Sequence, residues 1–486
     1  MTSNGRRLMA GASWVYGLQL LTVVVQLGYA ALTSRLAAPG VFGAYSVALS
    51  IAALVNLLGS GGLSQTAARA PDAERSSTRP LATYALLLGV AAALFTLVTA
   101  DLWSAFWGAP EAAGAVRLLA LSALVMPFLS LSTGLLRRQG AFREMAIATF
   151  CSNVVGMAAG AGAVLLFRSP ESLAVSAIIG QWGTLLWAGT RLRGDLVPGR
   201  LALRSDNVSF STKLVAVSVF QYISGNAPRW SVSQFVGASV LGAWNRADVL
   251  STIPFSQLQN ALMQVIYPEF RRYQIGSSAA RAAWLDMLSL VAWFTLPLGA
   301  VIAGVGPELV HVALGPGWGL AAQILPLLAV LGAVQPLMVL LAGALESAAL
   351  FRAIWMSEAI AFVLSAVGVA MVAVHQQYVF ALVALIAATV GRHVVHIFAA
   401  RRVRAIRLRR LVLGYAQPAA FALVLYFALL ALLALFRDSS VSLANVAGGS
   451  VGLVLLAGWV LVARRAFPPL EILRRRGILG RRGKAA

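Results

Sequence analysis

Charged residues are scarce in this chain. Only 11% of its 486 residues are Asp, Glu, Lys or Arg, whereas 59% are hydrophobic, and the mean hydropathy is +0.82. A water-soluble fold of this size could not bury so much apolar surface. The hydrophobic runs are continuous and about 20 residues long, which fits helices that cross a bilayer and excludes the alternating pattern of a membrane β-barrel. We therefore predict an all-α, polytopic membrane protein.

Groups that carry enzyme chemistry are equally rare. The chain has only 4 histidines, 1 cysteine and 16 acidic residues. They show no metal-ligand spacing, no Walker A pattern and no acidic pair placed for sugar chemistry. We expect no enzyme activity, no metal and no cofactor. We also expect Cys151, which lies within an apolar run, to be a small buried core thiol.

The net charge of +22 does not indicate a nucleic-acid partner. Its basic residues cluster in alternate loops and in the tail, which the positive-inside rule assigns to the cytoplasm. About fourteen spans reproduce this alternation, with both termini in the cytoplasm. The loops then assigned to the outer side hold only the basic residues Arg35, Arg117, Arg168 and Arg437. No loop is long enough for a separate soluble domain.

An internal repeat organises the predicted spans. Residues 34–45 read SRLAAPGVFGAY and residues 233–244 read SQFVGASVLGAW. A second match pairs PFLSLSTGLL, from Pro127, with PLMVLLAGAL, from Pro336, at a similar offset. Either the first six helices are duplicated, or helices rich in Ala, Leu and Gly resemble one another by chance. Duplication predicts two parallel six-helix lobes with a substrate at their interface.

The chain then divides into five predicted parts. They are an N-terminal six-helix lobe (1–190), a cytoplasmic linker (191–212), a second six-helix lobe (213–400), two further membrane helices (401–463) and a basic cytoplasmic tail (464–486). The tail should lie on anionic lipid headgroups.

The most polar stretch inside the predicted spans is residues 226–270. Charges at that depth are costly, so they are candidates for function. Polar residues also recur there at helical spacing, and two glutamines share a face of the first span. We expect these side chains to line one central cavity. The predicted substrate-binding residues are Arg246, Arg229, Asn245, Asp248, Asn226, Thr252, Gln259, Gln19 and Gln26.

Two clusters of charge have alternative interpretations. Arg229 and Arg246 fit an anion, and a pyrophosphate above all, because the guanidinium fork binds phosphate in a bidentate manner. They could instead pair with Asp248 or extend to the outer interface.

Further along, Glu358 could pair with Arg392, which lies beside His393 and His396. That cluster is either structural or interfacial, or it forms a second anion site or a pair of proton-linked histidines.

Several segments resemble one known family. They are LGAWNRA from Leu241 and VIYPEF from Val265, supported by LAAPGVFGAY, LLRRQGAFR and LGPGW in the same order. The chain resembles the polysaccharide transporter family of bacterial oligosaccharide flippases. These belong to the multidrug/oligosaccharidyl-lipid/polysaccharide exporter superfamily, which includes multidrug extruders and peptidoglycan-precursor flippases.

The resemblance implies two helical lobes around a cationic cavity in the bacterial cytoplasmic membrane. It also implies that undecaprenyl-pyrophosphate-linked sugar units move to the outer leaflet by alternating access. A polysaccharide polymerase and glycosyltransferases are the partners that this role suggests. The family often carries an acidic residue near the end of span seven, where this chain has Pro228 and Arg229. Ion coupling through that position is therefore left open.

The sequence leaves two alternative functions open. A multidrug or cation antiporter of the same superfamily should place carboxylates in its cavity, where Asp248 is nearly alone among arginines. A membrane polysaccharide polymerase or ligase usually needs a large outward loop, and the predicted outward loops are short.

Overall fold

The computed structural model describes residues 3–60, 63–64, 67, 78–199, 205–271 and 277–435. Over these residues the chain is helical and contains no strand, which confirms the all-α class. The predicted last span, the basic tail and Arg437 lie outside the described residues.

Thirteen long helices lie within the described ranges. The first seven are α1 (Ser3–Leu36), α2 (Pro39–Ser60), α3 (Arg79–Phe106), α4 (Ala113–Arg138), α5 (Phe142–Phe167), α6 (Pro170–Leu192) and α7 (Ser205–Phe235). The other six are α8 (Ala238–Arg271), α9 (Ser278–Leu314), α10 (Gly319–Ser347), α11 (Phe351–His375), α12 (Tyr378–Arg402) and α13 (Leu408–Leu435).

Ten of these helices are long and apolar enough to cross a membrane, counted over the described residues alone. They are α1–α5 and α9–α13. The remaining helices α6, α7 and α8 are also predicted spans, and the polar residues of α7 and α8 lower their hydropathy. A protein with many membrane helices is thus confirmed, while the count of fourteen stays a prediction.

The packing of α3 shows what surrounds the protein. Its large apolar residues are exposed, with Val98 81% and Leu102 73% accessible. Its buried face carries only small residues: Ala82, Ala85, Gly89, Ala92, Thr96, Ala100 and Ser104. Lipid tails solvate large aliphatic side chains, whereas small residues let membrane helices approach closely. This distribution is that of a helix in a bilayer.

The helices form two compact units. The first comprises Met1–Arg246 with the segment Val372–Tyr378. In it, α3 packs on α4, α5 on α6, and α4 also contacts α2 and α6. Its cores are built from alanine and branched aliphatic residues, among them Ile51, Leu119 and Leu135.

The second unit comprises Ala247–Met371 and Val379–Ala486. Here α9 packs along α10 and α13. The core of this unit includes Trp284, Met287, Leu340 and Leu411. The helix α8 runs across the division in the chain, so its first residues belong to the first unit and the rest to the second.

One expectation about the core is wrong. Cys151 is exposed rather than buried. It lies on α5 four residues before Val155, which is 59% accessible, so both face outward on one side of the helix. An apolar run in a membrane protein faces lipid as readily as it faces the core, and the sequence alone does not separate the two environments.

Candidate functional site

Two helical hairpins with an equivalent hydrogen bond at their turns meet in the first unit. The α1–α2 turn has Ala37 donating its backbone N–H to the Thr33 carbonyl at 3.0 Å. In the α7–α8 turn, Val236 donates to the Val232 carbonyl at 2.9 Å. These residues are equivalent in the repeat, because both pairs are offset by 199 positions. The sequence match at residues 34–45 and 233–244 therefore corresponds to a matching local structure.

The two hairpins also touch each other through equivalent residues. Gly43 of α2 packs directly on the backbone of Ala238, at the start of α8. Gly242 of α8 packs in the same way on the backbone of Pro39, at the start of α2. Exchanging the two hairpins converts one contact into the other. A side chain at either glycine would collide with backbone atoms, so this close approach requires glycine.

Arg246 lies on α8 four residues after Gly242, and its side chain turns into the protein. The residue is only 6% accessible, and its guanidinium carbon lies 3.9 Å from the centre of the Phe42 ring. Tyr29 and Tyr45 are close enough to interact with its charge. Burial of an arginine is costly, and the Phe42 ring offsets part of that cost through a cation–π contact.

Hydrogen bonding leaves part of this guanidinium unused. Its Nε atom has no hydrogen-bond partner, and Arg246 forms no ion pair with any carboxylate in the described ranges. The interpretation of Arg246 as half of an ion pair with Asp248 is thus not supported. A planar group with an unused donor and an uncompensated positive charge is suited to bind an anion.

The equivalent position in the first hairpin is apolar. Val47 of α2 corresponds to Arg246, and Leu241 of α8 corresponds to Phe42. Val47 and Leu241 are both buried in one hydrophobic cluster. The hairpins therefore make matching contacts, but only the second places a cation at this position.

Arg229 lies near the end of α7 and contacts the same part of α8. Its guanidinium carbon is 5.7 Å from the centre of the Trp244 ring. Next to it in sequence, Trp230 is buried against Trp103, Trp107 and Tyr222, with ring centres 6.0, 5.3 and 5.5 Å away. This aromatic cluster fixes the end of α7 and so fixes the backbone that carries Arg229.

The remaining predicted residues are polar and accessible to differing degrees. The Asn226 side-chain amide donates to the Tyr222 carbonyl of its own helix at 2.9 Å. The Thr252 hydroxyl donates to the Asp248 carboxylate at 2.8 Å, one turn earlier on α8. Thr252 is exposed, and the others are neither buried nor fully exposed: Gln19, Gln26, Asn226, Asn245, Asp248 and Gln259. The structure brings Arg229 and Arg246 to one end of α8, and Asp248, Thr252 and Gln259 continue along that helix in the second unit.

Sequence reasoning missed the aromatic partners of Arg246. Phe42 and Tyr45 lie inside the repeated motif, which was a usable signal, but nothing in the motif links them to residue 246. Tyr29 lies in the first span without any distinguishing pattern. Their role follows only from the packing of the hairpins.

The expected pairing of Arg392 with Glu358 is confirmed. The Arg392 Nη2 atom lies 2.9 Å from the Glu358 Oε2 atom, and the two side chains are 15% and 12% accessible. A second ion pair lies at the surface: Asp101 pairs with Arg117 at 2.6 Å, and its side chain is 72% accessible.

Comparisons with known proteins identify the family. A family model described as "polysaccharide biosynthesis protein" matches residues 32–323. The teichuronic acid biosynthesis protein TuaB of Bacillus subtilis (strain 168) is 22% identical over 341 residues, which cover 70% of this chain and 71% of that protein. The succinoglycan biosynthesis transport protein ExoT of Rhizobium meliloti (strain 1021) is 24% identical over 342 residues, covering 68% and 67%. The lipopolysaccharide biosynthesis protein WzxC of Escherichia coli (strain K12) is 22% identical, covering 67% of each chain.

Solved structures share the fold at low sequence identity. The lipid II flippase MurJ in its inward closed conformation matches with a TM-score of 0.71 and 10% identity, over 93% of this chain and 99% of that one. An inward-facing MATE multidrug resistance transporter of the MOP superfamily matches with a TM-score of 0.57 and 15% identity, over 84% and 98%. Since the family model covers more than half of the sequence, this chain belongs to the polysaccharide biosynthesis protein family, and it has the fold of the MurJ and MATE transporters.

Proposed function

We propose that this protein is a flippase that moves undecaprenyl-pyrophosphate-linked oligosaccharide from the cytoplasmic to the outer leaflet of the bacterial cytoplasmic membrane. Membership of the family ties the chain to polysaccharide synthesis, and the relative ExoT is described as a transport protein. The MurJ-like fold supports a transporter architecture. The transported units would come from glycosyltransferases and pass to a polysaccharide polymerase.

The observation that carries the proposal is the buried guanidinium of Arg246. In a membrane protein, a buried cation without a counter-charge lowers stability, so such a residue is expected to have a function. Here the charge is held against Phe42 with an unused Nε donor. A pyrophosphate would supply both the missing negative charge and the missing acceptors. Arg229, at the end of α7, provides a second cation on the same hairpin.

The sugar units would be bound by amides and hydroxyls, because sugars offer both hydrogen-bond donors and acceptors. The proposed contacts for them are the amides and the hydroxyl of Asn245, Thr252, Gln259, Asn226, Gln19 and Gln26, together with the carboxylate of Asp248. The prenyl chain would stay in lipid, where its apolar surface is already solvated.

The two-lobe layout is part of the same proposal. Lobes at residues 1–190 and 213–400, joined by a cytoplasmic linker and followed by two helices and a basic tail, would alternate access to the site. The reciprocal contact of Gly43 with Ala238 and of Gly242 with Pro39 supports a duplication. In this arrangement both termini are cytoplasmic.

The test measures surface polysaccharide in the bacterium that encodes this protein, without the protein and with variants at two arginines. Arg246→Ala should reduce polymer export by roughly tenfold or more, since hydrogen bonds to charged groups contribute about 1.5–3 kcal/mol. The lipid-linked intermediate should accumulate on the cytoplasmic side. Arg246→Lys should recover only part of the export, because lysine lacks the planar fork.

Arg117→Ala is the matched control, because Arg117 is exposed and already paired with Asp101. Cells with Arg117→Ala should export the polymer at the wild-type level. All variants must be present in the membrane at wild-type amounts. Normal export by Arg246→Ala would remove Arg246 from the site, and unchanged polymer in cells without the protein would reject the function itself.

A further inference from the structure

Two buried histidines belong to the second unit, whereas Arg246 belongs to the first. His393 and His396 are 7% and 1% accessible. They are three residues apart on α12 and so lie on the same face of that helix. Neither histidine has a role in the proposed binding of the substrate. His311 and His375, the other two histidines, are exposed at helix ends.

The hydrogen bonds of His396 define its tautomer. Its Nε2 atom lies 2.9 Å from the Ser357 hydroxyl of α11. That hydroxyl already donates its only hydrogen to the Ile354 carbonyl at 2.7 Å, so it can only accept from the histidine. The Nε2 atom therefore carries the proton, and Nδ1 carries a lone pair.

This lone pair on His396 is buried and unused. Among the described residues, the Nδ1 atom has no hydrogen-bond partner. The backbone of Met338, on α10, lies beside the ring, where its carbonyl could accept a hydrogen bond from a charged imidazole. The site thus holds a proton acceptor together with a group that would stabilise the added proton.

His393 extends the site to α13. Its Nε2 atom lies 3.1 Å from the Tyr415 hydroxyl, and the two ring centres are 5.9 Å apart. Its Nδ1 atom is also buried without a hydrogen-bond partner in the described part of the chain. A buried polar atom that lacks a hydrogen-bond partner loses its hydration without compensation. Two such atoms, one helical turn apart, make this core less stable than leucine side chains at the same positions would make it.

Charged groups surround the pair. On α12, Arg392 lies one turn before His396 and pairs with Glu358 of α11 at 2.9 Å. Tyr415 is the titratable group that α13 places against His393. The neighbouring α9 carries the partly buried Asp286, and α10 carries the exposed Glu346. A proton on either ring would add positive charge beside Arg392 and would compete for the single carboxylate of Glu358.

We propose that the His393–His396 pair is a proton-binding site whose occupancy is linked to the packing of α10–α13. A hydronium ion from the solvent would give a proton to the Nδ1 lone pair of His396; an N–H bond forms, one O–H bond of the hydronium breaks, and an imidazolium and a water molecule result. A charged ring is disfavoured while it is buried next to Arg392, so the closely packed helices and the bound proton oppose each other. Proton uptake would therefore favour separation of these helices. If the proposed function is correct, this linkage couples oligosaccharide movement to the proton gradient.

Nitrogen NMR of ¹⁵N-histidine-labelled full-length protein in nanodiscs tests the site directly. At alkaline pH, the His396 signal should be that of an Nε2–H tautomer with a bare Nδ1. On acidification, it should become doubly protonated before the protein unfolds. The signals of the exposed His311 and His375 serve as references in the same spectra. A His396 ring that stays neutral until global unfolding would overturn the proposal.

Hydrogen exchange of α11 and α12 tests the linkage. In the wild type, acidification should raise the equilibrium constant for local opening of these helices, corrected for the intrinsic exchange rate. The rise should be up to about tenfold per pH unit, which is the limit for one linked proton. In His396→Gln this rise should vanish, because glutamine can still donate to Ser357 but cannot bind a proton. His375→Gln, at the exposed end of α11, should behave as the wild type. An unchanged pH response in His396→Gln would contradict the proposal.

These two measurements do not depend on transport. If cells show that the chain does not move lipid-linked oligosaccharide, the proposed function fails while the proton site can still be observed. If export is real but the exchange is independent of pH, the proton linkage fails alone.

Discussion

Gly43 and Gly242 occupy equivalent positions in two hairpins, and each lies against the backbone at the start of the other hairpin's second helix. The arrangement places Phe42, the residue before Gly43, under the guanidinium of Arg246. The glycines thus allow the close approach that buries the cation.

Alanine at either glycine should therefore loosen the hairpin contact. An added Cβ would meet the backbone of Ala238 or Pro39, which cannot rotate away as a side chain can. We expect Gly43→Ala and Gly242→Ala each to destabilise the protein by about 1–3 kcal/mol, measured as the free energy of unfolding in detergent.

Gly28→Ala is the control for this prediction, since a Cβ on that α1 glycine meets nothing within 4 Å. It should be neutral or slightly stabilising, because alanine favours a helix. Equal effects of all three substitutions would show that the reciprocal contact is not tight.

The cation–π contact of Arg246 with Phe42 should appear as a coupling energy. Phe42→Leu keeps an apolar side chain in this fully buried position but removes the aromatic face. Combined with Arg246→Met in a double-mutant cycle, it should give a coupling of about 0.5–2 kcal/mol in the free energy of unfolding. A coupling near zero would mean that the ring merely fills space beside the arginine.

Two ion pairs of different exposure should contribute unequally to stability. Glu358→Gln removes the negative charge that balances Arg392 at a site only 15% accessible and should cost about 3–5 kcal/mol. Asp101→Asn breaks the exposed pair with Arg117 and should cost about 0–1 kcal/mol.

Replacing both partners, as Glu358→Leu with Arg392→Met, should restore much of the stability lost in Glu358→Gln, because no buried charge is left unpaired. Thermal or denaturant unfolding in detergent measures all of these variants. A small effect of Glu358→Gln would indicate that water reaches the pair.

The predicted topology can be checked with single cysteines. Cys151→Ser provides a background without cysteine, since the chain has no other. Gly317→Cys, in the exposed turn between α9 and α10, should react with an impermeant maleimide added to intact cells. Ala282→Cys, at the exposed start of α9, should react only after the membrane is permeabilised. The opposite pattern would invert the predicted orientation.

The sequence predicted those features that depend on local pattern. The helices follow from hydrophobic runs of membrane length, and the two hairpins follow from the repeat at residues 34–45 and 233–244. The pairing of Arg392 with Glu358 was expected because two opposite charges at similar depth in adjacent spans have few other partners. In each case, the neighbours along the chain contain the physical reason.

The surroundings of the buried charged and polar side chains depend on contacts between segments that are distant in sequence. Nothing near Phe42 indicates that it supports Arg246, and nothing near Ser357 indicates that it fixes the tautomer of His396. Cys151 shows a second limit, because hydropathy measures how apolar a surrounding is but not whether it is lipid or protein. The sequence shows that the two hairpins differ in charge, because Val47 is equivalent to Arg246. It does not show that Arg246 is buried.

The most direct test of the central claim is transbilayer movement of a lipid-linked oligosaccharide in reconstituted vesicles. Undecaprenyl-pyrophosphate-linked oligosaccharide is placed in one leaflet, and its arrival in the other is followed with a membrane-impermeant glycosidase. We predict that vesicles with the wild-type protein move the lipid, and that Arg246→Ala vesicles move it at least about tenfold more slowly, as the loss of a charge-assisted contact implies. Movement by the wild type no faster than in protein-free vesicles would contradict the proposed function, and equal rates for the wild type and Arg246→Ala would contradict the proposed site.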